Sequence, residues 1–232
     1  MTSPATLAAL REVSTATITT VLLKKGIRNA YMRGPKPLVA GAGRLAGPAF
    51  TMRFIPARED LAVPEAWASP RSTRAAIEDM PAGCIAVADA RGLTEAAIFG
   101  DILVARMGKR GVTALVTDGT MRDAEGVIAT GVPVWCTGAA APSSVAGHIF
   151  TGWQEPIGCG GVAVFPGDII VADGDGAVVV PIALADEIAK LGTEQERFEN
   201  WALAEVHKGL PLPGLYPPNE ATKARYAAEK KK

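Results

Sequence analysis

No charge of one sign dominates this sequence. Lysine and arginine number 24, aspartate and glutamate also number 24, and the formal net charge is +0. A chain without an overall field has nothing long-ranged to draw it to nucleic acid or to an anionic membrane surface, so neither is expected as a partner. Long apolar runs are missing too: none approaches the roughly 20 residues that cross a bilayer. Met1 to Leu10 lacks the basic start and apolar run of a secretory signal, and the cytoplasm is the expected compartment. Cysteine is scarce. Cys84, Cys136 and Cys159 are odd in number and far apart, with no zinc-ligand spacing, and a disulfide framework is not expected. His148 and His207 are also far apart and read as surface residues.

What is present fits a soluble globular protein: 48% of residues are hydrophobic and 21% charged. The 232 residues suit one domain spanning 1–232, with a proline-rich, irregular tail from about 209 and a solvated basic end at Lys230, Lys231 and Lys232. A helical start covers residues 5–26, its second helix capped within Ser14–Thr17 and ended by Gly26. Gly47–Phe54 alternates like a strand. A helix is expected from about Arg71 to Met80. Strands at 84–88, 112–117 and 132–136 alternate with helices at 102–107 and 126–130, which argues for parallel pairing. Cys159 to Phe165 runs into the turn Pro166-Gly167-Asp168, and the short strands and tight turns here suggest a compact β-layer. Ile169–Asp173 and Ala177–Val180 flank a turn at Gly174-Asp175-Gly176, and Ala183 to about Glu205 forms a long amphipathic helix. The fold class is α/β.

The chemistry concentrates in Gly100-Asp101-Ile102-Leu103 and Asp118-Gly119-Thr120-Met121-Arg122-Asp123. Asp101 falls at a helix start, where the Ile102 and Leu103 N–H groups can face an anion. Arg122 and Asp123 follow a strand end, the usual ligand position in α/β proteins. A guanidinium suits a carboxylate or oxyanion, and a carboxylate suits Mg2+ or Mn2+. The plainer reading is also open: Asp101 as a helix cap, Arg122 and Asp123 as a surface pair. Asp118 before Gly119 reads as a turn residue. Cys159 lacks a neighbouring histidine and reads as a small buried residue, and Lys109 reads as part of an exposed helix face.

Asp101, twenty intervening residues, then Arg122-Asp123 resembles the RraA-like family, which includes the 4-hydroxy-4-methyl-2-oxoglutarate and 4-carboxy-4-hydroxy-2-oxoadipate aldolases. Gly111-Val112, Asp118-Gly119, Pro133-Val134, Gly160-Gly161-Val162, Pro166-Gly167-Asp168, Asp173-Gly174-Asp175-Gly176 and Val179-Val180-Pro181 extend the resemblance over roughly residues 12–205. It implies a swivelling-domain-like α/β/β sandwich, assembled as a homotrimer or homohexamer with sites at interfaces. It further implies a divalent metal, Mg2+ first and Mn2+ second, with Asp123 as direct ligand and Asp101 holding metal-bound water. Arg122, Ile102 and Leu103 would hold the substrate. A glutamate on a neighbouring subunit's C-terminal helix would reach the site: Glu199, with Glu194 and Glu196 as rivals. Two segments depart from the family pattern, Thr17-Ile18-Thr19-Thr20 and the tail around Gly214-Leu215-Tyr216-Pro217-Pro218. The implied activity is a metal-dependent, class II-type lyase on a small 2-oxo acid, by retro-aldol cleavage releasing pyruvate, oxaloacetate decarboxylation, or both. The alternative is a regulator that binds and inhibits a ribonuclease.

Overall fold

The computed structural model describes residues 2–230. Two helices open the chain, α1 (Pro4–Arg11) and α2 (Thr15–Lys24). Each begins behind a serine, Ser3 and Ser14, whose side chain accepts a hydrogen bond from the N–H three residues on. The strands β1 (Tyr31–Met32), β2 (Lys36–Pro37) and β3 (Leu45–Pro56) follow. Then come α3 (Thr73–Asp79), β4 (Ile85–Asp89), β5 (Ala97–Phe99), α4 (Asp101–Lys109), β6 (Ala114–Thr117), β7 (Thr120–Met121), α5 (Ala124–Ala129) and β8 (Val134–Cys136). The later part holds β9 (His148–Trp153), the hairpin β10 (Ile157–Cys159) and β11 (Val162–Val164), the hairpin β12 (Ile169–Asp173) and β13 (Gly176–Val180), α6 (Ala185–His207) and α7 (Glu220–Glu229).

The long strand β3 organises the sheet, whose order is β1-β13-β12-β3-β4-β6-β8-β2. Its first part, residues 45–48, pairs antiparallel with β12; residues 49–53 pair parallel with β4; and residues 52–56 take β9 antiparallel past an irregularity at Arg53/Phe54. The expected parallel pairing is present in β3–β4–β6–β8. Side chains alternate between faces along each strand, and this sorts the core into three clusters. Ala86, Ala88, Leu115 and Val134 pack with Ile77, Val104, Met107 and Val127 of α3, α4 and α5. Ile85, Val87, Val116 and Trp135 face the other way and meet Ile170, Ala172, Ala177 and Val179, joined by Ile157, Cys159, Val162 and Val164. Ile169, Val171, Val178 and Val180 lie under Leu10, Ile18, Leu22 and Ile188 of α1, α2 and α6. The result is an α/β fold in which two portions of one sheet pack against each other, with helices on both outer faces.

The short strands and tight turns expected after residue 158 are present, and three other expectations change. Cys159–Phe165 is the end of one strand and the whole of another, because Gly160 and Gly161 turn the chain with φ of 58° and 74°. A Cβ on Gly160 would lie 2.8 Å from the Arg33 backbone, so the turn also needs glycine for space. The tail is irregular only through Asn219; α7 follows, held on α6 by tertiary contacts. His148 is buried rather than at the surface, 2% exposed, with Nε2 3.0 Å from the Ala90 carbonyl and Phe54 edge-on to its ring. Lys230 caps α7 and pairs with Glu194, so it is not a free tail residue; Lys231 and Lys232 lie outside the described residues. Among the described residues, no helix is long and apolar enough to cross a membrane.

Candidate functional site

Two strand-to-helix junctions lie side by side. Strand β5 runs through Gly100 into α4, and β7 runs through Arg122 and Asp123 into α5. The strands pair in parallel, Phe99 opposite Met121, and the Arg122 N–H donates to the Phe99 carbonyl at 2.9 Å. Residues separated by twenty positions in sequence are thereby neighbours. Asp101 is the first residue of α4, and Asp123 precedes α5 in the left-handed region, φ 52° and ψ 46°. That conformation is sparsely populated by non-glycine residues, aspartate and asparagine being the best tolerated.

Two glycines make room for the carboxylates. A Cβ on Gly100 would sit 2.7 Å from Asp123 Oδ2 and 3.0 Å from Arg122 Cγ. A Cβ on Gly126 would sit 2.7 Å from Asp101 Oδ2. Arg122 Nε donates to Asp123 Oδ2 at 3.1 Å, with both side chains more than a third exposed. Such a pair is worth at most about 1 kcal/mol, so both groups remain available to a ligand. Asp101 Oδ1 accepts the Ile102 N–H at 2.7 Å, which means that N–H is not free while Asp101 keeps this orientation. The Ile102 side chain is 80% exposed.

Asp101, Ile102, Leu103, Arg122 and Asp123 line one cavity of about 320 Å3. The structure thus gathers five of the six proposed site residues. Glu199 is the exception. It lies on α6, where its carboxylate accepts hydrogen bonds from Thr17 Oγ1 at 3.0 Å, Gln195 Nε2 at 2.8 Å and Tyr216 OH at 3.0 Å. Glu194 bonds Lys230 and Tyr226, and Glu196 bonds Ser14. None of the three lines the cavity within one chain. The two segments that depart from the family pattern both touch Glu199, through Thr17 and Tyr216.

The cavity is also lined by Trp67, Thr73, Arg74, Ser143 and Ser144, which sequence reading passed over. No motif marks these residues, which come from a short 3-10 turn, from α3 and from the approach to β9. A larger cavity of about 580 Å3 lies around Asp89, Asp118 and Arg33. There Asp118 is a buried staple rather than a simple turn residue, accepting the Ala90 and Gly160 N–H groups at 2.7 and 3.0 Å. Asp89 does the same for Arg91 and Gly158. Burial pushes the Asp118 carboxyl above its usual range. Because the oxygens of both acids are committed to backbone, the smaller cavity is the better candidate for chemistry. Burial also pushes the Cys159 thiol far up, which argues against a nucleophile.

The oxygen donors of the cavity bear on the implied metal. Among the described residues, no group of three or more His, Cys, Asp or Glu side chains is placed to enclose an ion. Asp101 and Asp123 supply two hard carboxylates in one open cavity. That suits Mg2+ or Mn2+, since Mg2+ typically keeps several waters and takes one or two carboxylates, and it does not suit an all-protein cage.

The family profile described as Aldolase/RraA matches residues 15–179. The chain belongs to the RraA-like family. An RraA-like crystal structure, Streptomyces coelicolor RraAS2, described as an unusual member of the RNase ES inhibitor RraA protein family, superposes with a TM-score of 0.78. It is 36% identical, over 87% of this chain and 96% of that one. A Halalkalibacterium halodurans protein provisionally named a 4-hydroxy-4-methyl-2-oxoglutarate aldolase is 35% identical over 141 residues, 60% of each chain. Protein DlpA of Legionella pneumophila is 30% identical over 180 residues, 78% of this chain but 28% of DlpA. The match thus spans less than two thirds of either of these two relatives. The RraA-like profile covers both strand-to-helix junctions, Gly100–Asp101 and Arg122–Asp123, and ends before α6 and Glu199.

Proposed function

We propose that this protein is a divalent-metal-dependent lyase of small 2-oxo acids, releasing pyruvate by retro-aldol cleavage, decarboxylating oxaloacetate, or both. The observation that carries the reading is the single cavity shared by Asp101, Arg122, Asp123 and the start of α4. Asp123 would be the direct ligand of Mg2+ or Mn2+ and Asp101 would hydrogen-bond its water. When bound, the ion supplies Lewis-acid polarisation of the 2-oxo carbonyl. Arg122 takes up negative charge developing on the 2-oxo oxygen as the carbon–carbon bond breaks. In the retro-aldol direction Asp101, through a water, accepts the proton of the substrate hydroxyl; the bonding pair passes to the pyruvate methylene carbon, which is then protonated. When Asp101 turns away from its own helix start, the Ile102 N–H is released beside that of Leu103 to hold the substrate carboxylate. Glu199 of a neighbouring copy completes the site in a homotrimer or homohexamer.

The test is a panel of 2-oxo acids with Mg2+ or Mn2+, following pyruvate. Turnover is expected to vanish with a chelator and return with either ion, and Arg122→Ala is expected to lose most of it. Full activity in chelated enzyme would overturn the reading. The likeness to RraAS2 favours a second reading, in which the protein binds and inhibits a ribonuclease through its surface. Stoichiometric inhibition of a ribonuclease by the Asp123→Ala variant, with no lyase activity in the wild type, would establish that reading instead.

A further inference from the structure

A second, more enclosed chamber of about 130 Å3 adjoins the candidate site, and Trp67, Thr73 and Ser144 line both spaces. His148 lines the chamber too. Its ring is 2% exposed, held by the Ala90 carbonyl at 3.0 Å from Nε2 and by Phe54 edge-on at 5.7 Å between centroids. A carbonyl only accepts, so Nε2 carries the ring proton and Nδ1 is a bare acceptor. That Nδ1 is buried without a hydrogen-bond partner among the described residues. Buried polar atoms are almost always paired in native structures, so an orphan beside a polar chamber points to a donor supplied from outside the chain.

The chemistry of the chamber narrows the donor. A carboxylate offers lone pairs to a lone pair and is repelled by Nδ1. The cationic side chain lining the chamber, Arg71, is already engaged, with Nε on the Thr151 carbonyl at 2.8 Å and Nη2 on Glu155 at 3.2 Å. A hydroxyl fits, and Ser72, Thr73 and Ser144 add hydroxyl partners around it. We propose that the chamber takes the distal end of the substrate and that His148 Nδ1 accepts a hydrogen bond from a hydroxyl there. This rests on the lyase reading and gives its substrate class: a 2-oxo acid with an uncharged, hydroxylated tail. With 4,5-dihydroxy-2-oxopentanoate the C3–C4 bond breaks. The C4 hydroxyl loses its proton and becomes the aldehyde of glycolaldehyde, while C3 takes the bonding pair and a proton and becomes the pyruvate methyl.

Binding and turnover test this separately, at about pH 8, where an imidazole is neutral. Calorimetry in Mg2+ compares 5-hydroxy-2-oxopentanoate with 2-oxohexanoate, in which a methyl replaces the terminal hydroxyl. Neither has a C4 hydroxyl, so neither undergoes retro-aldol cleavage. Wild type is expected to prefer the hydroxy acid at least about tenfold. Two substitutions, checked by thermal melts, separate the acceptor from the Ala90 bond. His148→Asn puts an amide oxygen near the Nδ1 position and gives up Ala90; His148→Gln keeps an N–H for Ala90 and gives up the Nδ1 acceptor. Asparagine is expected to retain the preference and glutamine to lose it. The cleavable pair is 4,5-dihydroxy-2-oxopentanoate and 4-hydroxy-2-oxohexanoate, which yields pyruvate and propanal. Wild-type kcat/KM should favour the first at least about tenfold, and His148→Gln should erase that ratio. Equal affinity of wild type for the two uncleaved acids, or none for either, overturns the subsite whatever the variants do. So does a preference kept by glutamine and lost by asparagine, which would leave His148 a packing role only. Cleavage of both substrates at equal kcat/KM would leave the lyase standing without the subsite. A His148-dependent preference in binding, with neither substrate cleaved, would overturn the lyase and leave the hydroxyl subsite.

Discussion

Asp123 joins an uncommon backbone conformation to the carboxylate proposed to hold the cation, and substitutions can separate the two. Asparagine tolerates the left-handed region and removes the charge; alanine removes both, at about 1–2 kcal/mol of backbone cost. Asp123→Asn is therefore expected to melt within a few degrees of wild type yet show no turnover, while Asp123→Ala is inactive and also less stable; thermal melts beside pyruvate assays check it. The glycines give the converse signature. Alanine at Gly126, inside α5, favours the helix by about 0.5–1 kcal/mol but drives a Cβ into Asp101 Oδ2. Gly126→Ala is expected to keep or raise the melting temperature and to lose at least about tenfold in kcat, as misplaced catalytic groups do. Unchanged kcat would show that the position of Asp101 does not matter. The carboxylates and the arginine of this site were legible in the sequence, because residue type and spacing carry them. The burial of His148 and the stapling role of Asp118 were not, since neighbours from β3, β4 and the β10–β11 hairpin decide both.

Elements were read best where glycine and serine punctuate them. Ser14 starts α2, Gly111 follows α4, and the Gly174–Asp175 turn closes β12 onto β13. Helix α7 escaped notice because it has no buried residue to impose an apolar period, and four prolines precede it. Its attachment is polar and aromatic. Arg225 pairs with Glu205, Lys230 with Glu194, Trp201 Nε1 donates to Glu229 at 2.8 Å, and Tyr226 meets Phe198 edge-on. Lys208, with help from Arg225, holds the Glu205 carboxyl below the usual glutamate range, and Lys230 does the same for Glu194. A carboxyl whose folded pKa is depressed contributes stability that is complete above its unfolded value and disappears as pH falls through the folded one. Docking of α7 should thus be constant above about pH 5 and fail on further acidification. Trp201 fluorescence, read in a variant whose other three tryptophans are replaced, is the probe. Glu205→Gln should weaken docking already at neutral pH, and a pH-independent signal in the wild type would contradict the account.

At the scale of the whole molecule, sequence reading captured the α/β class and the parallel half of the sheet, because alternating apolar strands and helices admit few layer arrangements. It did not reveal the second helical face formed by α1, α2 and α6, or the cavity wall of Trp67 and Arg74, since both arise only when distant segments meet. The placement of Glu199 is a question of the same scale. Held by Thr17, Gln195 and Tyr216 on α6, it is absent from its own chain's cavity, so it can serve catalysis only in an assembly whose interface brings α6 of one copy to Asp123 of the next. A heterologous ring has this property, because each interface joins two different surfaces. Complementation follows from that geometry. Asp123→Ala and Glu199→Ala subunits are each expected to be inactive alone, but random co-assembly of equal amounts pairs an intact Asp123 with an intact Glu199 at about one interface in four. Mixed rings should then recover about a quarter of wild-type turnover, whereas homogeneous rings recover none. Failure to recover activity in rings shown by mass measurement to contain both subunits would place the whole reaction inside one chain and remove Glu199 from it.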